Sequence, residues 1–159
     1  MISISLPTYN SAEFLVDCLE SIQAQTYKDW RLEIVDGGSD DGTLETLDSF
    51  KATDPRIDYS STKKGIARQR AEGVERSHGD YIVTMDSDDI MLPDRLERSL
   101  REINNYDVVY SDIYEADYKG EVFGDANHGT IETSTLKDVI KSQMVPSPTM
   151  MARQEVYDI

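Results

Sequence analysis

Apolar and polar residues alternate over Ile2-Ser-Ile-Ser-Leu6, which predicts a first β-strand, ended by Pro7. The period then changes. Ser11 suits the N-cap of a helix whose apolar residues, Phe14, Leu15, Cys18, Leu19 and Ile22, recur at helical spacing. Residues 30–35 (WRLEIV) predict a second strand, and residues 36–42 (DGGSDDG) predict a loop. A helix over 43–50 follows, with Leu44 and Leu47 on one face, then a short strand over 56–59. The polar stretch 66–76 predicts a helix that ends near Gly79. Residues 81–85 (YIVTM) form the clearest buried strand of the chain, and Asp86-Ser-Asp-Asp89 follows directly. Pro93 opens a helix that runs to Ile103, and residues 107–111 (DVVYS) predict a further strand.

Five strands thus alternate with four helices, which points to an α/β fold. The expectation is one domain with a mostly parallel, Rossmann-like central sheet covered by helices on both faces. Beyond Ile113 the pattern loosens. Residues 117–121 predict a hairpin turn, 135–141 a short helix and 146–152 an extended segment.

Composition narrows the chemistry. The 159 residues fit one domain, and the formal charge of −15 argues against a nucleic-acid partner or an anionic lipid surface. A chain this acidic needs a cation between itself and any diphosphate. The single cysteine, Cys18, excludes an internal disulfide and sits at a core position of the first helix. The sequence holds no signal-peptide pattern and no stretch of ~20 apolar residues, so no transmembrane segment and a cytoplasmic location are expected.

Three polar clusters fall at the ends of predicted parallel strands, where ligands bind in open α/β sheets: Thr8-Tyr9-Asn10, residues 36–42 and residues 86–89. If the extended run from Tyr81 continues, Asp86 and Asp88 point to the same side. Two carboxylates there suit Mg²⁺ or Mn²⁺ completed by substrate phosphate and water. The plainer alternative is a solvated turn whose acids cap the next helix.

Gly37 and Gly42 are spaced as in a P-loop, but Thr43 stands where that motif requires Lys. Asp36, acceptor-only when ionised, suits the N3–H of uracil; the alternative is a tight turn with Asp40 or Asp41 capping the next helix. Arg68 and Arg70, just after Lys63-Lys-Gly65, either face a diphosphate or pair with Glu72 and Glu75 on a solvated face. His78 and His128 read as surface histidines.

Taken together, the stretches SISLPTYNSAEFLVDCLESIQAQTYKDWRLEIVDGGSDDGT and GIARQRAEGVERSHGDYIVTMDSDDIMLPDRLE resemble family 2 glycosyltransferases, which have the A-type glycosyltransferase fold. The resemblance implies an inverting transfer from a nucleoside-diphosphate sugar, with UDP-sugar favoured, to a saccharide or lipid-linked acceptor, assisted by Mn²⁺ or Mg²⁺. It implies that Pro7, Thr8, Tyr9 and Asp36 hold the nucleoside and that Arg70 lies near the diphosphate. Asp86 and Ser87 join the donor-binding set, and Asp88, with Asp86, ligates the metal. Residues 1–112 would then form the sugar-nucleotide-binding core, and 113–159 the start of the acceptor side of the same domain.

The sequence departs from the family at Gly37, where many members carry a second Asp, and at Ala71, where an Asn is common. The general base is expected beyond Ile159. Among Asp112, Asp125 and Glu132, nothing in the sequence selects one. The alternative reading is a non-catalytic sugar-nucleotide-binding module. A nucleotidyltransferase is disfavoured because residues 5–10 hold no Lys or Arg to grip a triphosphate.

Overall fold

The structure, a computed structural model, describes residues 1–117, 120–126 and 147–157. In chain order its elements are β1 (Ile2–Thr8), α1 (Leu15–Gln23), β2 (Trp30–Asp36), α2 (Thr43–Thr53), β3 (Ile57–Ser61) and α3 (Ile66–Arg76). There follow β4 (Tyr81–Thr84), α4 (Arg95–Glu102), β5 (Val108–Val109), β6 (Ile113–Ala116), β7 (Val122–Ala126) and β8 (Met151–Arg153). The expected α/β architecture is present. Six strands form one sheet in the order β3-β2-β1-β4-β8-β5, and β6 pairs with β7 as a separate hairpin.

The pairs β1–β2, β2–β3 and β1–β4 are parallel, while β8 runs antiparallel between β4 and β5. The chain therefore builds outward from β1 through β2 to β3, then returns to add β4 on the other side of β1. That reversal leaves a crevice at the carboxyl ends of β1 and β4. Residues on both sides of position 112 contribute to the sheet, because β8 follows the β6–β7 hairpin.

The alternation in β1 separates two faces. Ile2, Ile4 and Leu6 enter one apolar cluster with Leu15, Leu19, Ile22, Leu47, Leu96 and Ile103. Ser3 and Ser5 point the other way, toward α3 and the turn after it, and they too are buried. The small serines let the helix come close: a Cβ added at Gly73 would lie 2.2 Å from Ser5 Oγ. Helices thus cover both faces, one through a thick apolar layer and one by close backbone approach.

Several boundaries differ from the sequence expectation, each for a local reason. Pro7 does not end β1. The Ser5 carbonyl accepts from Met85 N on the β4 side, and the Thr8 carbonyl accepts from Gly37 N on the β2 side. By alternation Pro7 faces the β4 side, where pairing has already stopped at Ser5 opposite Thr84, so no ladder bond is lost. The first helix begins at Leu15, and Phe14 is 38% exposed instead of joining the core. α4 starts at Arg95, after a turn at Pro93. Of the extended segment foreseen over 146–152, residues Ser147–Thr149 form a 3₁₀ turn and Met151 and Ala152 begin β8. The helix expected over 135–141 lies outside the described residues. Among the described residues, no helix is long and apolar enough to cross a membrane.

The contact between α3 and β1 gives a test. Gly73→Ala should destabilise the protein by about 1–3 kcal/mol, because the new methyl meets the buried Ser5 hydroxyl. In a Ser5→Ala background the same change should become neutral or stabilising, since Ala is the better helix former. Urea denaturation of the four variants measures this, and equal effects in both backgrounds would refute the contact.

Candidate functional site

A cleft of about 620 Å³ opens at the crevice between β1 and β4. It is lined by residues 7–11 and Phe14, by Lys64, Gly65, Ile66, Gln69 and Arg70, and by Asp86, Ser87 and Asp88. Three loops and the start of α3 therefore meet there, as the strand reversal requires.

The loops after β1 and β2 are laced together by side chains. Asn10, in the left-handed region at φ 50, exchanges two 3.0 Å hydrogen bonds with Asp40: its Nδ2 donates to Asp40 Oδ1, and Asp40 N donates to its Oδ1. Asn10 N donates to Ser39 Oγ, Ser11 N to Thr43 Oγ1 and Ala12 N to Asp41 Oδ2. Asp41 Oδ1 also accepts from the Thr43 hydroxyl and amide at the start of α2, and these bonds, the hydroxyl foremost, hold its carboxyl below the usual range.

Asp36 is fully buried, and its carboxylate serves this loop. Oδ2 accepts from Gly38 N at 2.8 Å and Ser39 N at 3.0 Å, and Oδ1 accepts from the Ser39 hydroxyl. Of the two readings of residues 36–42, the structure displays the tight turn, and Asp36 does not line the cleft.

Below the loops lies Gln69, which sequence reasoning passed over. Its Nε2 donates to Thr8 O at 2.7 Å and to Val35 O at 3.1 Å, and its Oε1 accepts from Gly65 N at 3.3 Å. A Cβ at Gly37 would come within 3.2 Å of this amide and of the Tyr9 ring. The glycine that departs from the family pattern is thus the position that leaves room for Gln69. A signal was present: Gln69 and Gly73, four residues apart, mark the buried side of α3. A second buried glutamine, Gln25, accepts from Leu96 N and donates to Met91 O and Leu92 O, tying the segment after the acidic cluster to the end of α1.

The acidic cluster itself is a turn, since β4 stops at Thr84. Asp86 and Asp88 still line the same cleft. Asp86 Oδ1 accepts from Arg70 Nη2 at 2.9 Å, while Asp88 is exposed and makes no hydrogen bond or ion pair with the described residues. Ser87 is buried, its hydroxyl 2.8 Å from that of Ser11. Thr8 Oγ1 is buried at the cleft with no hydrogen-bond partner among the described residues. Among the described residues no group of three or more His, Cys, Asp or Glu forms a closed metal cage. The donor set is two carboxylates, which fits an oxygen-seeking ion that takes its other ligands from phosphate and water.

Of the basic residues, Arg70 and Lys64 reach the cleft, whereas Arg68 is exposed outside it. Lys64 Nζ stands 3.8 Å from the centroid of the Tyr9 ring. Burial, joined by the negative charges of Asp88 and Asp86, pushes Asp89 up to about 6, opposed by Arg95. Burial also draws Arg95 down to about 10. The Asp89–Arg95 pair was not singled out from the sequence. Asp112 is exposed just before β6, Asp125 lies in β7, and Glu132 and His128 fall outside the described residues.

The family model described as glycosyl transferase family 2 matches residues 3–158. An uncharacterized glycosyltransferase of Rickettsia felis is 30% identical over 159 residues, covering 98% of this chain and 26% of that protein. The glycosyltransferase GlyG of Streptococcus pneumoniae is 34% identical over 121 residues, covering 74% of this chain and 40% of that protein. The chain thus spans well under half the length of these relatives. S. aureus TarS, solved in complex with UDP-GlcNAc, shares the fold with a TM-score of 0.74 at 20% identity, covering 99% of this chain and 46% of that one. A mannosyltransferase from Pyrobaculum calidifontis, solved with GDP-Man and Mn²⁺, gives a TM-score of 0.65 at 23% identity over 72% of this chain and 35% of that one.

The raised Asp89 makes stability depend on pH. Its charged form is disfavoured in the folded state, so the penalty is absent below about pH 4 and complete above about pH 6. Asp89→Asn should therefore be more stable than the wild type at pH 8 by about 1 kcal/mol, allowing for partial solvent screening. The advantage should fade between pH 6 and 4 in thermal melts. A constant difference across that range would show that Asp89 is not the titrating group.

Proposed function

The chain belongs to glycosyl transferase family 2, and on that premise we propose that its cleft binds a nucleoside-diphosphate sugar together with Mn²⁺ or Mg²⁺. A UDP-sugar is favoured as donor, and a saccharide or lipid-linked hydroxyl as acceptor, with inversion at the anomeric carbon. The observation that carries this reading is the meeting of opposite charges in one cleft. Asp86 and Asp88 come from the end of β4, and Lys64 and Arg70 come from the start of α3. An acidic pair alone would repel a diphosphate, and a basic pair alone would need no metal. Both together suit a metal–diphosphate complex.

The residues divide the work. Pro7, Thr8 and Tyr9 form the wall for the nucleoside, where the unpartnered Thr8 hydroxyl offers a hydrogen bond and the Tyr9 ring an apolar face. Arg70 bridges the two halves of the site, since it already holds Asp86 and lies within reach of a phosphate. Asp88, with no hydrogen-bond or ion-pair partner among the described residues, is the principal metal ligand, with Asp86 and the backbone turn at Ser87 beside it. A divalent cation bound there supplies Lewis-acid neutralisation of the leaving diphosphate. Asp36 acts through its turn, and the uridine preference drawn from it requires Gly38 and Ser39 to open toward the base. Residues 1–112 carry the donor contacts, and 113–159 begin the acceptor side.

Calorimetric titration with UDP tests this reading. Binding should require Mn²⁺ or Mg²⁺, should be tighter for UDP than for GDP, and should weaken by about tenfold or more in Asp88→Ala. Metal-independent binding, or binding that Asp88→Ala leaves intact, would refute the assignment of the metal site. Tighter binding of GDP would remove the uridine preference.

A further inference from the structure

Lys64 has two possible partners in this cleft and only one ammonium group to share between them. In the structure that group stands over the Tyr9 ring, 3.8 Å from its centroid, with no carboxylate partner among the described residues. Yet the chain is strongly acidic, and Asp86 and Asp88 line the same cleft. A cation placed on an aromatic face is held by the ring quadrupole, a contact worth a factor of roughly two to five at an exposed site. It also covers the flat apolar surface that a nucleobase would stack on.

Resting on the donor-binding reading above, we infer that Lys64 makes the cleft select nucleoside diphosphates over bare nucleosides. A base that approaches Tyr9 displaces the ammonium from the ring. A ligand with phosphates gives the displaced ammonium a charge-assisted partner beside Arg70, and the exchange is favourable. A ligand without phosphates leaves the ammonium with water alone, and the lost contact counts against binding. The flexible four-carbon stem of lysine suits this movement, and its position one residue before Gly65, which has φ 154, puts it at the turn that opens α3. Selectivity thus comes from one side chain that must be moved and then re-employed.

The test compares uridine and UDP by NMR titration in Mg²⁺, on the wild type, Lys64→Met and Lys64→Arg. Lys64→Met should bind uridine roughly two- to five-fold tighter, because the ring is uncovered. The same variant should bind UDP about ten-fold more weakly, because a phosphate partner is lost. Lys64→Arg keeps a cation that stacks and pairs, so its preference for UDP over uridine should be at least that of the wild type. Opposite shifts for the two ligands are the signature. Equal weakening of both, or no change in either, would overturn the inference while leaving donor binding standing. A wild type that binds no UDP would overturn the donor-binding reading itself.

Discussion

The amide of Gln69 holds the carboxyl ends of β1 and β2 at a fixed separation, and the geometry of the cleft follows from it. Near the ends of β1 and β2 the carbonyls of Thr8 and Val35 each offer a lone pair for a further donor, Thr8 O in addition to the bond it accepts from Gly37 N. One buried side chain meets both, from Nε2 to Thr8 O and to Val35 O. Because both acceptors are carbonyls, the amide can point only one way, and its oxygen is left to meet Gly65 N at the start of α3. Strand ends and helix start are thereby fixed to one another. The Asn10–Asp40 exchange and the Ser11–Thr43 bond then join the two loops above. The wall that carries Thr8 and Tyr9 is braced from beneath and from behind.

Charge is distributed with the same economy. An isolated turn bearing three aspartates would repel itself, and the rise at Asp89 records its burial first and that repulsion second. Arg70 on Asp86 and Arg95 near Asp89 temper it from two sides, leaving Asp88 as the member with no cationic partner among the described residues. On the proposed reading, that exposed carboxylate is the one that takes an external cation.

Much of the fold was legible because its signals are local. The helix over Ile66–Arg76 has the bounds that its flanking glycines announce, and the alternation of Ile2 to Leu6 fixes which side of β1 is apolar. The hairpin around residues 117–121 followed from its turn residues. What stayed hidden depends on distant partners. β8 has three residues and earns its strand character only by lying between β4 and β5. Pro7 reads as a strand end until the early departure of β4 is known. In the site, two of the three clusters at strand ends line the cleft, and residues 36–42 brace the first of them through Asp40 and Ser39. Asp36 was legible as important but not as a residue turned inward. Gln69 sits in a polar helix, and polarity alone marks it as surface.

The position of β8 also bears on the order in which the molecule assembles. The strands β1 to β3 pair in chain order, and β4 docks on β1, which already stands in the sheet, so each βα unit can dock as it arises. β5 cannot, because its neighbour in the sheet is β8, far along the chain, and a strand of two residues has little to hold it alone. The sheet therefore divides into a parallel body that carries most of the cleft wall and a seam that closes when β8 pairs with β4 and β5 together. Thr84, whose amide and hydroxyl both bond to residues just before β8, sits on that seam directly below the acidic turn. Fraying of the seam would loosen the footing of Asp86 and Asp88 while leaving the wall of Thr8 and Tyr9 intact.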